Sequence, residues 1–262
     1  MKIAVTGKGG TGKTSFSGVF AHLFHREGYS VLAVDADPDA NLASALGFPE
    51  EIIRENKPVA EQRKLIKERT GANPKEFGQL FKINPTVDDI PDEFSVKYKG
   101  IKLLTLGAVR QGGDGCACPE NVLLKNLLSE IFLYRKEVVI VDMEAGIEHL
   151  GRATTKAVDL MLIITEPGSR SLETARDIIR MGKELGIRNF GVIGNKFRNR
   201  EQESWLKEQL PANMLWGFIP YDDKLAMADL EQKSVFDCLT PPLEEIFRTF
   251  LRRALTFNPS KT

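Results

Sequence analysis

The most definite chemistry in the sequence lies near its start, in "GKGGTGKT" (Gly7 to Thr14). The run fits G-x-x-x-x-G-K-[ST] and stands between an apolar β-branched run and a helical segment. Glycines let the backbone wrap until its N–H groups converge on phosphate oxygens beside a helix N-terminus. In this pattern Gly9, Gly10, Thr11 and Gly12 form the cradle, and Ser15 carries it into the helix. Lys13 reaches the β- and γ-phosphates, and the Thr14 hydroxyl binds Mg²⁺. The expected ligand is a nucleoside triphosphate with Mg²⁺. Lys8 is a second lysine in the loop, one more than the pattern needs.

Acidic residues at strand ends complete such a site. Asp35 and Asp37 lie in "DADPDAN", and Asp142 in "VIVDMEAG" holds the Walker B position, with Gly146 as a pliable point after it. Aspartate after a strand is also a common helix cap, but downstream of a phosphate loop the Mg²⁺ and water roles are favoured. The segment "GNKFRN" begins like the N-K-x-D signature that reads guanine, with Asn195 and Lys196 in place and Arg198 where the carboxylate belongs. Nothing there pairs with the guanine N1 and N2 donors. The Asn195 amide can still donate to and accept from adenine, so ATP is the expected nucleotide.

A second kind of chemistry appears in "GGDGCACPEN", where Cys116 and Cys118 are one residue apart. In extended chain both thiols face the same side. Two thiols are half of a closed tetrahedral soft-metal site, and a two-fold homodimer would supply the other half, suiting Zn²⁺ or thiolate-bound Ni²⁺. Cys238, in "SVFDCLTPP", reads as core filler. His22 and His25 read as positions on a surface helix, and His149 stands apart from them.

These residues need a scaffold. Seven short apolar runs recur: "KIAVTG", "SVLAVDAD", "IKLLTLG", "EVVIVDM", "LMLIITEP", "NFGVIGNKF" and "LWGFIPYD". Continuous apolar runs suit strands buried on both faces. Helical segments alternate with them, such as "SRSLETARDIIRMGKELG", with Gly186 as its C-cap. The pattern predicts an α/β, P-loop NTPase-like fold: a mostly parallel sheet covered by helices on both faces, in a single domain over residues 1–262. The stretch from about 50 to 99 is the least regular and reads as an insertion. The composition, 42% hydrophobic and 27% charged with zero formal net charge, is that of an ordinary globular chain and argues against nucleic-acid binding. No run suits a membrane span, and the N-terminus does not resemble an export signal, so a cytoplasmic, reducing location is expected.

"KGGTGKT" resembles the deviant Walker A loop of the dimeric ATPases that include septum-site, plasmid-partitioning, arsenite-pump and nitrogenase-iron proteins. That resemblance implies that Lys8 crosses to the nucleotide of the other subunit, that Asp37 directs the attacking water, and that Asp35 lies near Mg²⁺ and its water shell. It also places "PYDD", with Pro220 and Tyr221, along the base. More narrowly, "GCACPENVLLKNLL", "VDMEAGIEHLGR", "NPTVDDIPDEF" and "ITEPGSRSLETA" resemble the carbon monoxide dehydrogenase maturation factors, including relatives that mature acetyl-CoA synthase. This implies an ATP-hydrolysing nickel chaperone that dimerises on ATP, holds nickel on Cys116 and Cys118, and serves a nickel enzyme as client. An ATP-gated iron–sulfur electron donor is the alternative. A partitioning ATPase is a further one, with "PLEEIFRTFLRRALTF" as a membrane-seeking helix. That helix reads better as one that closes the sheet, its Leu243, Phe247, Phe250, Leu251 and Ala254 on one face.

Overall fold

The computed structural model describes residues 1–74, 76, 78–107, 118–135, 137–145, 157–231 and 233–257. Among these, eight strands form one sheet in the order β3-β4-β2-β5-β1-β6-β7-β8. The strands are β1 (Lys2–Thr6), β2 (Val31–Ala36), β3 (Val96–Tyr98), β4 (Ile101–Thr105), β5 (Val138–Met143), β6 (Leu160–Thr165), β7 (Phe190–Phe197) and β8 (Leu215–Pro220). All neighbours pair in parallel except β3 with β4. The seven expected strands are all present. The eighth, β3, is a short antiparallel edge. Lys99 and Gly100, with φ of 46° and 84°, make the two-residue turn that returns the chain from β3 into β4.

Helices cover both faces. They are α1 (Lys13–Arg26), α2 (Leu42–Ala45), α3 (Glu50–Glu55), α4 (Arg63–Thr70), α5 (Ile90–Glu93), α6 (Pro119–Tyr134), α7 (Ser169–Leu185), α8 (Arg200–Gln209), α9 (Asp223–Leu230) and α10 (Pro241–Ala254). Alternation along each strand divides the core in two. Ile3 and Val5 point into a layer with Phe16, Phe20 and Phe24 of α1 and Phe247 and Phe250 of α10. Ala4 points into the other, with Leu123, Leu127 and Ile131 of α6 and Leu172, Ala175 and Ile178 of α7. Helix α7 stops at Gly186, whose φ of 97° is the left-handed C-cap that glycine permits. Helix α10 closes the sheet as expected, with Phe16 lying 5.6 Å from Phe247 and 6.3 Å from Phe250, centroid to centroid. The 50–99 stretch contributes α3, α4, α5 and β3, and packs Val59, Leu65, Ile66, Val87 and Ile90 under α6.

The order matters for the site. Strand β5 returns between β2 and β1, and β6 continues on the far side of β1. Ligands of parallel α/β sheets bind outside the strand C-termini where the winding direction reverses. That point lies at the ends of β1, β2 and β5.

Candidate nucleotide site

The loop after β1 approaches β6 so closely that a Cβ at Gly7 would lie 2.2 Å from the Ile164 carbonyl oxygen. At Gly12, φ is 90° and a Cβ would lie 2.4 Å from the Asn195 side-chain nitrogen. Only glycine fits these two positions. Gly12 is the N-cap of α1 and offers no side-chain cap, so the first helical amides are left to face a ligand. Around Gly9 and Gly10 an added Cβ would meet nothing within 4 Å, so the cradle opens outward. Thr11 is buried, and its hydroxyl donates to the Lys8 carbonyl at 2.8 Å. Lys8 itself is half-buried, and Ser15 lines the cleft.

Behind the loop lie the acidic residues. Asp142, fully buried at the end of β5, accepts from Thr14 Oγ1 at 2.6 Å and from Ser17 Oγ at 3.0 Å. Donating its proton to Asp142 leaves the Thr14 oxygen lone pairs turned toward the cleft. Lys13 Nζ is 3.9 Å from Asp37 Oδ2, both largely buried. The Asp37 carboxylate also accepts from the Asp39 amide at 3.0 Å. Asp35 stands beside Asp142 in register across β2 and β5. It accepts from the Leu42 amide at 2.9 Å and the Asp37 amide at 3.2 Å, and so braces the turn that carries Asp37. Burial, and then the charge of Asp142, pushes Asp35 up to about 7. Burial raises Asp142 to about 6, against the two hydroxyl hydrogen bonds that favour its charged form.

A cleft of about 740 Å³ runs from this cluster past Lys13 and Thr14 to Asn195, Lys196, Pro220 and Tyr221. The Asn195 amide donates to the Thr11 carbonyl at 2.8 Å and accepts from the Lys196 amide at 3.0 Å. It thus ties β7 to the phosphate loop, a use the sequence reading did not assign to it. Lys196, with φ of 62°, donates to the Gly10 carbonyl and lies 4.0 Å from Glu166. Tyr221 is anchored by its amide to the Phe197 carbonyl at 2.9 Å.

The set suits a Mg²⁺–triphosphate ligand. Mg²⁺ takes oxygen donors and binds through one or two protein groups plus substrate phosphates, not through an all-protein cage. Among the described residues no group of three or more His, Cys, Asp or Glu is arranged to hold a metal ion. Ser17 was missed by the motif, because its bond to Asp142 spans 125 residues of chain.

Cys118 is the extended N-cap of α6, with φ −95° and ψ 153°, while Cys116, Gly146 and His149 lie outside the described residues. Cys238 is half-buried in a short 3-10 turn, not deep core. His22 corrects the surface reading: it is buried, lies 3.0 Å from the Leu46 carbonyl and stacks on Phe236 at 4.6 Å. Helix α1 is enclosed on more sides than an amphipathic surface helix would be. No helix among the described residues is long and apolar enough to cross a membrane.

The chain matches the CobQ/CobB/MinD/ParA nucleotide binding domain over residues 2–235, and it belongs to that family. Within it, the chain is 47% identical over 237 residues to the carbon monoxide dehydrogenase accessory protein CooC of Rhodospirillum rubrum, covering 90% of each protein. An uncharacterised ATP-binding protein of Methanocaldococcus jannaschii is also 47% identical, over 90% of this chain and 91% of its own length. Among solved structures, the fold resembles a Borrelia burgdorferi plasmid partition protein bound to AMPPNP. The TM-score is 0.69 at 17% identity, covering 97% of this chain and 98% of that one. It also resembles the septum site-determining protein MinD of Pyrococcus horikoshii complexed with Mg-ADP. Here the TM-score is 0.66 at 20% identity, covering 96% and 94%.

Proposed function

We propose that the chain is a Mg²⁺-dependent ATPase that acts as an ATP-bridged homodimer in the maturation of a nickel enzyme, carbon monoxide dehydrogenase or acetyl-CoA synthase. One observation supports this above the rest. A chain 47% identical to a carbon monoxide dehydrogenase accessory protein brings Lys13 within 3.9 Å of Asp37 and bonds Thr14 to Asp142, the parts that phosphoryl transfer requires.

In this reading the amides of Gly9 to Thr14 and the Lys13 ammonium hold the β- and γ-phosphates. Thr14, oriented by Asp142, holds Mg²⁺, whose charge offsets that of the phosphates. Asp37 orients the attacking water, and Lys8 of a second copy adds positive charge at the transferring group. Cys116 and Cys118 carry nickel or zinc as cargo, two thiolates from each chain, so metal affinity follows nucleotide state.

The test is metal content and oligomeric state of anaerobic protein, with and without ATP. The parent should hold one ion per two chains in the ATP-bound dimer. A Cys116→Ser/Cys118→Ser variant should lose tight metal binding while keeping ATP turnover, because hydroxyls are hard, protonated ligands. Equal metal content in the two proteins refutes the shared site. An absorbance band near 400 nm would point instead to an iron–sulfur cluster.

A further inference from the structure

Arg198 stands where a guanine-reading carboxylate would stand, and it is not idle. Its guanidinium carbon lies 3.7 Å from the centroid of the Tyr221 ring. Tyr221 lines the same cleft as Lys13 and Thr14. Both partners are held in place. The Tyr221 amide is bonded to the Phe197 carbonyl. The Arg198 amide donates to Gln202 Oε1 at 2.8 Å, while Asn199 caps the same helix by accepting from the Gln202 amide at 3.0 Å.

From this geometry we infer that Arg198 is a positioning residue that holds Tyr221 as the stacking platform for the nucleotide base. The inference rests on the nucleotide-binding reading above. A guanidinium over one face of a phenol ring is attracted by the π density and fixes the ring plane. The purine then packs on a ring that is already ordered, so less freedom is lost on binding.

The experiment is calorimetric titration of the full chain with Mg²⁺ and, separately, ATP and inorganic tripolyphosphate. Four variants are compared with the parent: Tyr221→Ala, Tyr221→Phe, Arg198→Ala and Arg198→Lys. Loss of the ring in Tyr221→Ala should weaken ATP about tenfold, and Tyr221→Phe should stay near the parent. Arg198→Ala should weaken ATP about threefold, with Arg198→Lys partly restoring it. Tripolyphosphate, which has no base, should bind all five proteins alike. A parent that binds neither ATP nor tripolyphosphate overturns the nucleotide-binding reading itself. A parent that binds ATP while Arg198→Ala keeps the parent's ATP affinity overturns this inference alone. Equal loss of tripolyphosphate and ATP in Arg198→Ala also overturns it, because the residue would then be structural.

Discussion

Asp35 and Asp142, on adjacent strands beneath the phosphate loop, take their hydrogen bonds from backbone amides and hydroxyls. Asp92 and Glu137, toward the opposite ends of the strands, take theirs from cations. Arg135 grips Asp92 at 2.6 and 3.0 Å and also bonds Glu137, while Lys102 lies 2.9 Å from Asp92. The same side-chain type is driven in opposite directions. Burial raises Asp35 and Asp142, whereas hydrogen bonding to Arg135 holds Asp92 well below the usual carboxylate range. The second cluster is already neutralised and serves as a clamp between α5, the end of α6 and the start of β5. The first bears a cost that the fold itself does not offset, as groups arranged for a ligand often do.

The largest test of this contrast is at Lys13. If the cluster under the loop serves chemistry, Lys13→Ala should lower ATP turnover about a hundredfold or more, with little change in unfolding midpoint. Turnover near that of the parent, measured against a clean background, would make the cluster as structural as the clamp.

The next test uses pH. A carboxyl whose folded pKa is raised adds most stability below its unfolded value of 3.8, and that stability is lost as pH rises toward about 7. For Asp35 the full span corresponds to roughly 4 kcal/mol at most. Urea unfolding of ligand-free protein between pH 4 and 8 should therefore show a steeper decline in the parent than in Asp35→Asn. The difference between the two proteins isolates Asp35 from His22, whose pKa is lowered by burial and which pulls the other way. Parallel profiles would mean that Asp35 carries no such cost.

The two regions also differ in how far the sequence foretold them. The phosphate loop is local: eight consecutive residues specify it, and the strands that hold it are continuous apolar runs. The partners behind it are not local. Ser17 meets Asp142 only because α1 lies across β5, and the Asn195 bond to Thr11 joins residues 184 apart. Arg198 left a trace, as the wrong residue in a known pattern, but its contact with Tyr221 depends on β7 and β8 ending side by side. The clamp left none: Asp92, Lys102, Arg135 and Glu137 are scattered charges of the kind that usually coat a surface. The edge strand β3 has three residues, too few for alternation to register, and its turn is marked only by Lys99 and Gly100.

The smallest effect should come from the clamp. Asp92 is about half exposed, with side-chain exposure of 55% against 13% for Arg135, so solvent screens much of its attraction. Asp92→Ala should therefore cost only about 1 kcal/mol. Its pH dependence is opposite to that of Asp35. A carboxyl whose folded pKa is depressed stabilises above its unfolded value of 3.8, and that contribution begins to fade there and is fully lost only as pH falls through the depressed folded value. The deficit of Asp92→Ala against the parent should thus be present at pH 7 and shrink in acid. It should also shrink in high salt, which screens exposed charges. ATP affinity should not change, because the clamp lies at the other end of the strands from the phosphate loop. Denaturant unfolding at pH 7 and pH 3, each at low and high salt, reads all of this. A deficit as large at pH 3 as at pH 7, and indifferent to salt, would mean that Asp92 acts through packing and not through its charge, and the contrast between the two clusters would fail on the clamp side.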